Sequence, residues 1–394
     1  MKLLLWTSAG MVLYGYVGYP LLLLVFANIW RLGSTLRHAL RKKDSSDLSP
    51  SEFMPSVSLV ISAYNEEAVI ARKMRNCEQL NYPQDRLEIL LGCDGCTDKT
   101  SEIARSAQLP NARVFEFSKR SGKLTVLNAL LQECRGEIVV FSDASTILNE
   151  HAIRNSVRHF SDPVIGCVSG EMRLVSAEGK SSTEGIYWRY EVFVKRLESR
   201  LNLLLGASGC LYAIRRNLFT PLSRWAINED FLIPLRIRAK GHRQVYDSEA
   251  VSYEDAASVW HDFHRHIRIG AGNFHALRYT LGLLSPLAGP IAFSFWSHKI
   301  IRWLVPFALP CAFISALILA ADPFYAALAL AGGLFVLLAV VGHHLELRNV
   351  HWRLFSIPYY FLSLNLALAL GFVRFLTSTQ GATWERTVEN QTVS

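Results

Sequence analysis

Acidic and amide side chains close three apolar runs in this chain. Residues 57–63 are rich in β-formers and end in Tyr64-Asn65-Glu66-Glu67. Residues 87–93 run into Asp94-Gly95-Cys96-Thr97-Asp98, and residues 137–142 stop at Asp143. Carboxylates repel a phosphate unless a divalent cation lies between, and hard cations such as Mg2+ or Mn2+ take oxygen ligands for that purpose. A metal-bridged diphosphate is therefore the economical chemistry for this set. One Asp at such a place also makes turns and caps helices, whereas several at successive run ends point to a shared site. The G-x-G-x-x-G and G-x-x-x-x-G-K-[ST] phosphate-binding patterns are missing, which disfavours a nicotinamide-dependent or P-loop enzyme.

The spacing of the runs requires helices between strands. An amphipathic stretch follows the first run to about residue 80, and Asp94 to Asp98 supply a turn and an N-cap for a helix to about residue 107. Residues 112–117 read as a strand, 121–133 as a helix and 137–142 as the next strand. Such alternation specifies an α/β layered domain with a mostly parallel sheet. Ligands in these sheets bind beyond the carboxyl ends of the strands, where Tyr64, Asn65, Glu66, Asp94, Asp98 and Asp143 stand.

The series Ile61-Ser62-Ala63-Tyr64-Asn65-Glu66-Glu67, Cys93-Asp94-Gly95-Cys96-Thr97-Asp98, Gly122-Lys123 through Asn128-Ala129, Phe141-Ser142-Asp143-Ala144-Ser145, Gly206-Ala207-Ser208-Gly209 and Asn228-Glu229-Asp230 resembles family 2 glycosyltransferases of the GT-A fold. These are membrane-anchored relatives of cellulose, hyaluronan and poly-N-acetylglucosamine synthases. The resemblance implies a Rossmann-like α/β GT-A domain that transfers sugar from a nucleotide-sugar donor, a UDP-sugar by analogy. It implies that Ala63, Tyr64, Asn65 and Glu66 hold the base and ribose, that Asp94 reads the uracil edge, and that Lys123 approaches the diphosphate or donor sugar. By the same likeness Asp143 is the first acid of a metal-binding D-x-D for Mn2+ or Mg2+, and Asp230 is the catalytic base. Two departures stand out. Cys96 replaces a common Ser, and Ser145 occupies the place of the second metal acid, so the ion is expected to be held loosely and mainly by the diphosphate.

The residue types suit that chemistry independently. Displacing a nucleotide diphosphate by a hydroxyl needs positive charge on the leaving group and a carboxylate to take the acceptor's proton from the opposite face. On local sequence alone Asp230 is equally an N-cap for the helix after it. Arg265 and Arg268, one helical turn apart, suit a diphosphate. The processive relatives carry Q-x-x-R-W here, with Arg265 in place of Gln and Ile269 in place of Trp. The aromatic platform for a growing chain is thus absent, and short products on a lipid-linked or glycan acceptor are expected. A processive polysaccharide synthase and a catalytically inactive membrane scaffold are the competing readings. Trp384-Glu385-Arg386-Thr387 faintly resembles a hyaluronan-synthase motif.

The chain has 394 residues, 51% hydrophobic and 19% charged, which excludes a disordered or disulfide-scaffold protein. Residues 3–30 carry no charge and exceed the ~20 needed to cross a bilayer core. They read as an anchor (1–30) rather than a signal peptide. The basic stretch from Arg31 to Lys43 places the following part on the cytoplasmic side. A basic and polar linker (31–55) leads to a cytoplasmic catalytic domain (56–278). Residues 279–303, broken by Gly and Pro, read as an interfacial or re-entrant segment; 304–376 hold three spanning helices, and 377–394 form a tail. We expect an integral membrane protein, of a bacterial inner membrane by resemblance. The net charge of +8 suits contact with anionic membrane lipids, and no nucleic-acid motif accompanies it. Cys93-x-x-Cys96 and the group His261, Asp262, His264 and His266 favour polar packing over metal or redox roles.

Overall fold

The computed structural model describes residues 1–40, 53–175, 183–223, 226–255, 259–348, 350 and 352–379. Most of the polar linker, together with Trp384 and Arg386, lies outside the described residues. The chain begins with α1 (Lys2–Leu13), a π-helical turn (Tyr14–Gly18) and α2 (Tyr19–Leu40). Next come β1 (Val57–Ala63), α3 (Glu67–Glu78), β2 (Leu87–Asp94), α4 (Thr100–Ser106), β3 (Ala112–Phe117) and α5 (Lys123–Glu133). They are followed by β4 (Ile138–Asp143), β5 (Ile147–Leu148), α6 (Ala152–Val157), β6 (Ile165–Val175) and α7 (Thr183–Arg200). After β7 (Tyr212–Arg215), α8 (Glu229–Ala239) and β8 (Arg243–Asp255), the remaining elements are α9 (Val259–Thr280), α10 (Pro290–Ser294), α11 (Ile301–Ile318), α12 (Pro323–Glu346) and α13 (Arg353–Leu376). Two compact units result. The described residues within 44–177 and 204–257, with Thr379, form an α/β unit, and those within 1–43, 178–203 and 258–378 a helical unit.

In the α/β unit every residue of β1 is buried, as a strand covered on both faces requires. It pairs parallel with β2 on one edge and with β4 on the other. Ala63 lies opposite Cys93 and Ser62 opposite Asp143, so the polar residues that follow these strands share one edge. The full sheet runs β3-β2-β1-β4-β7-β6-β8-β5. The expected parallel pattern holds for the first four strands and stops there. Parallel pairing needs a long crossover, but after β4 the chain only turns, Thr146 N–H donating to the Asp143 carbonyl. Beyond it β4–β7, β7–β6 and β8–β5 are antiparallel, and only β6–β8 is parallel.

The helices pack by their apolar stripes. Ile70, Met74 and Cys77 of α3 face the sheet, and Leu124, Val126, Leu127, Leu130 and Leu131 of α5 are buried. Gly92 lets α5 approach β2, for a Cβ there would lie 2.4 Å from Val126 Cγ1.

Among the described residues the helical unit contains four helices long and apolar enough to cross a membrane: Lys2–Arg31, Pro290–Ile318, Pro323–Glu346 and Arg353–Leu376. The segment read from sequence as interfacial divides at Gly289. Two 3-10 turns, Leu281–Leu284 and Pro286–Ala288, precede it, whereas continuous helix begins at Pro290. Proline at the first helical position sacrifices an N–H that has no partner there anyway, so Pro290 opens a helix instead of interrupting one. Helix α7 is fixed within this unit by buried charge. Glu191 pairs with Arg302 at 2.6 Å, and Glu198 accepts from Tyr19 Oη at 2.7 Å and lies 2.7 Å from His298 Nδ1. Burial pushes the carboxyl of Glu191 up, but Arg302 and His298 outweigh it and hold it well below the ordinary range. Groups this buried persist only when paired.

Gly92→Ala introduces the Cβ that Val126 and Leu130 exclude. Overpacking of this kind costs about 1–3 kcal/mol, so the thermal unfolding midpoint of the detergent-solubilised protein is expected to drop by several degrees. An unchanged midpoint would show that α5 is not pressed against β2.

Candidate functional site

Helix α5 starts at Lys123, after Gly122 at φ 90°, a left-handed value that suits glycine. From this first turn Lys123 Nζ donates to Asp143 Oδ1 at 2.7 Å, at the end of β4, and meets Glu229 Oε1 at 2.5 Å, at the start of α8. Three elements therefore converge on one ammonium. Burial works against its charge, yet Asp143 and Glu229 hold it above the ordinary lysine range. Glu229 is itself buried. The sequence reading passes over this partnership and treats Glu229 only as the neighbour of Asp230. The available signal was two adjacent acids opening a helix, of which only one can face outward. Asn128, from the same motif as Lys123, fastens the chain ahead of α8 by donating to Leu222 O and accepting from Leu222 N.

Asp230 is half-buried in the first turn of α8, and its carbonyl accepts from Ala207 N at 2.8 Å. A Cβ on Gly209 would come within 3.1 Å of Asp230 Oδ2, so the 206–209 loop passes directly beside the carboxylate. The N-cap position belongs to Asn228. Asp230 is thus the second residue of the helix rather than its N-cap.

At the β1 and β2 ends the residues expected to bind nucleotide make many bonds among themselves. Ala63 is buried as the last residue of β1. Asn65, at φ 53°, donates from Nδ2 to Thr97 Oγ1 and accepts from Thr97 N. Glu66 N donates to Thr100 Oγ1, while Asp98 accepts from Glu67 N and Thr100 N. Asp94 is fully buried, and its two oxygens accept from Ser121 N at 2.6 Å and Gly122 N at 2.9 Å. The expectation that Asp94 presents its edge to a base is thus modified: here it fastens the loop before α5. The Arg120 guanidinium covers the Tyr64 ring at 4.0 Å from its centre, so the same loop also occupies that face.

Arg265 and Arg268 lie on α9, which belongs to the helical unit, whereas the other expected site residues belong to the α/β unit. On α9 His266 Nδ1 is 3.1 Å from Asp262 Oδ1, and Asp262 also accepts from Tyr360 Oη. Among the described residues no three His, Cys, Asp or Glu side chains converge to hold an ion alone. Asp143 is a third exposed, and Lys123 takes only its Oδ1. One carboxylate oxygen beside a lysine fits an ion shared with a diphosphate. Ser145 is exposed one turn away and adds no carboxylate. A recess of about 400 Å³ lined by Glu137, Arg215, Arg216 and Asn217 sits at the opposite end of β4, away from this chemistry.

A family profile described as Glycosyltransferase like family 2 matches residues 55–270. The chain is 26% identical over 223 residues to a probable glycosyltransferase, YdaM, of Bacillus subtilis, covering 52% of each chain. It is 24% identical over 259 residues to the poly-beta-1,6-N-acetyl-D-glucosamine synthase of Staphylococcus aureus, covering 61% of this chain and 58% of that one. The chain thus spans a little over half the length of the curated relatives it matches. The mannosyltransferase PcManGT from Pyrobaculum calidifontis, solved with GDP-mannose and Mn2+, has a similar fold. The TM-score is 0.73 at 22% identity, covering 95% of this chain and 99% of that one.

All seven cysteines are free thiols, and Cys96 stands out among them. A hydrogen bond with Cys93, helped by Asn65 N–H and opposed by burial, brings its thiol down to about 7. Ordinary cysteine titrates near ~8.5. Alkylation of Cys96 by iodoacetamide, followed by peptide mass spectrometry, is expected to rise with a midpoint near pH 7. Cys93→Ala should move that midpoint upward, and a midpoint the substitution leaves unchanged would contradict the assigned cause.

Proposed function

We propose that this chain, which belongs to the glycosyltransferase-like family 2, moves a sugar from a nucleotide-diphosphate donor to a membrane-associated acceptor by a single inverting displacement. That it is a glycosyltransferase of GT-A fold, with four helices able to span a membrane, follows from the family match and the fold. The observation that carries the finer reading is Lys123 enclosed by Asp143 and Glu229 one residue from Asp230. Lys123 meets the diphosphate oxygens, and Asp230 faces the side from which the acceptor arrives. The acceptor oxygen bonds to the sugar's anomeric carbon as the bond to the diphosphate breaks. Its proton passes to Asp230, and the bonding electrons leave with the diphosphate. Asp143 would hold Mn2+ or Mg2+ together with the donor's diphosphate, and the ion would supply charge neutralisation on the leaving group.

The donor is a UDP-sugar on the motif resemblance; the related mannosyltransferase structure contains GDP-mannose, so both nucleotides belong in a screen. A lipid-linked or membrane-associated glycan acceptor is supported by the four spans and by a recess of about 260 Å³ in the helical unit, lined by Tyr16, Tyr187, Tyr190 and Tyr360 among others. The basic residues after Arg31 support a cytoplasmic α/β unit, and the family resemblance supports a bacterial inner membrane. Ile269 in place of an aromatic platform supports short products. The name of the staphylococcal relative supports processive synthesis as the second reading.

Asp230→Asn is expected to retain nucleotide binding and fold while transfer falls by roughly 10²-fold or more, the range for a positioned general base. The measurement is nucleotide release and product size with purified protein in membranes, screened over UDP-sugars and GDP-mannose. Undiminished transfer would remove Asp230 from the mechanism, and a long polymer at limiting enzyme would decide for the processive reading.

A further inference from the structure

Lys73 is fully buried on α3, among residues that are otherwise apolar at helical spacing: Ile70, Met74 and Cys77. A lysine almost never occupies such a position without a polar partner. Its Nζ donates to Ser142 Oγ at 2.7 Å and to the Thr146 carbonyl at 2.7 Å. These two acceptors flank Asp143, Ala144 and Ser145. One helical turn on, Asn76 donates to Leu148 O at 2.7 Å and accepts from Leu148 N at 2.8 Å. Two side chains of one helix face thus hold both sides of the turn from the end of β4 to β5. Neither residue has a direct hydrogen bond to Asp143.

We propose that Lys73 and Asn76 are positioning residues that fix the Asp143 turn for cation binding, an inference that rests on the transferase reading of this site. The physical reason lies in the donor set. With Ser145 where a second acid would stand, Asp143 is the one acid the turn offers, so its direction has to be set by the backbone rather than by a second protein ligand on the ion. A tight turn between two short strands is a weak frame by itself. A helix that already packs against the sheet supplies a rigid one, and only a long side chain ending in several donors reaches across from α3 to acceptors on both sides of the turn. A methionine would fill the same volume and leave Ser142 and the Thr146 carbonyl unmet. Supporting groups around a metal ligand act in this way, and their loss typically costs 10–100-fold in metal affinity.

The test compares Lys73→Met, Asn76→Ala and Ser142→Ala with the wild type by two readouts. Hydrogen exchange of the peptide covering residues 142–148, measured without nucleotide or metal, reads the clamp itself and is independent of any activity. Faster exchange confined to that peptide is expected in all three variants. The Mn2+ concentration giving half-maximal transfer reads the consequence. It is expected to rise by roughly tenfold or more in Lys73→Met, with donor KM at saturating Mn2+ unchanged. A purely structural role would lower the unfolding midpoint and the active fraction while leaving the Mn2+ requirement where it was, and that result overturns the proposal. Unaltered exchange at 142–148 overturns it equally. If Lys73→Met does not fold, Asn76→Ala and Ser142→Ala carry the same test. Absence of transfer in the wild type with every donor counts against the transferase reading, whereas the exchange result still decides the clamp.

Discussion

An ammonium closed between two carboxylates, Lys123 with Asp143 and Glu229, is the constraint around which the carboxyl edge of this sheet is arranged. It ties the first turn of α5 to the end of β4 and the start of α8, three segments far apart in sequence. The pair of acids leaves the group with a net negative charge, which suits a divalent cation, while the lysine keeps a positive charge ready for a phosphate oxygen. A diphosphate arriving with its ion therefore meets charge of the required sign from both sides. Glu229 is turned inward to the lysine, and the next residue, Asp230, lies against the 206–209 loop, where the proposed base would stand.

The nucleotide end is organised differently. Its polar groups are satisfied by each other, and the loop before α5 engages both Asp94 and Tyr64. Since that loop leads directly into Lys123, binding of a base at Tyr64 and of a diphosphate at Lys123 would act on one segment. In the proposed reading, donor recognition at the base and charge placement at the phosphates would be coupled through a few residues, Arg120 to Lys123.

Much of this was legible in the sequence because parallel strands align their ends. Once residues 57–63, 87–93 and 137–142 read as neighbouring strands, the residues that follow them must share one edge of the sheet, and the register shows those strand ends side by side. Pairings made by side chains across long sequence distances were not legible. Glu229 reads as a helix-opening acid, and nothing local announces a lysine more than a hundred positions earlier. Lys73 reads as a surface residue by type, although its place in the stripe of Ile70, Met74 and Cys77 marked it as buried. The mixed half of the sheet escaped because the sequence pattern marked no strands after β4, where the chain turns directly into β5. The start of the helix at Pro290 escaped because proline was read as a breaker at a position where it opens a helix.

The account makes the ion a joint ligand of Asp143 and the nucleotide, and electron paramagnetic resonance of Mn2+ measures this most directly. Titrated alone, Mn2+ should remain largely free. With UDP or GDP present it should become bound at one ion per chain, and Asp143→Asn should abolish that bound signal without removing nucleotide binding. Tight Mn2+ binding in the absence of nucleotide, or an unchanged bound signal in Asp143→Asn, would contradict the account.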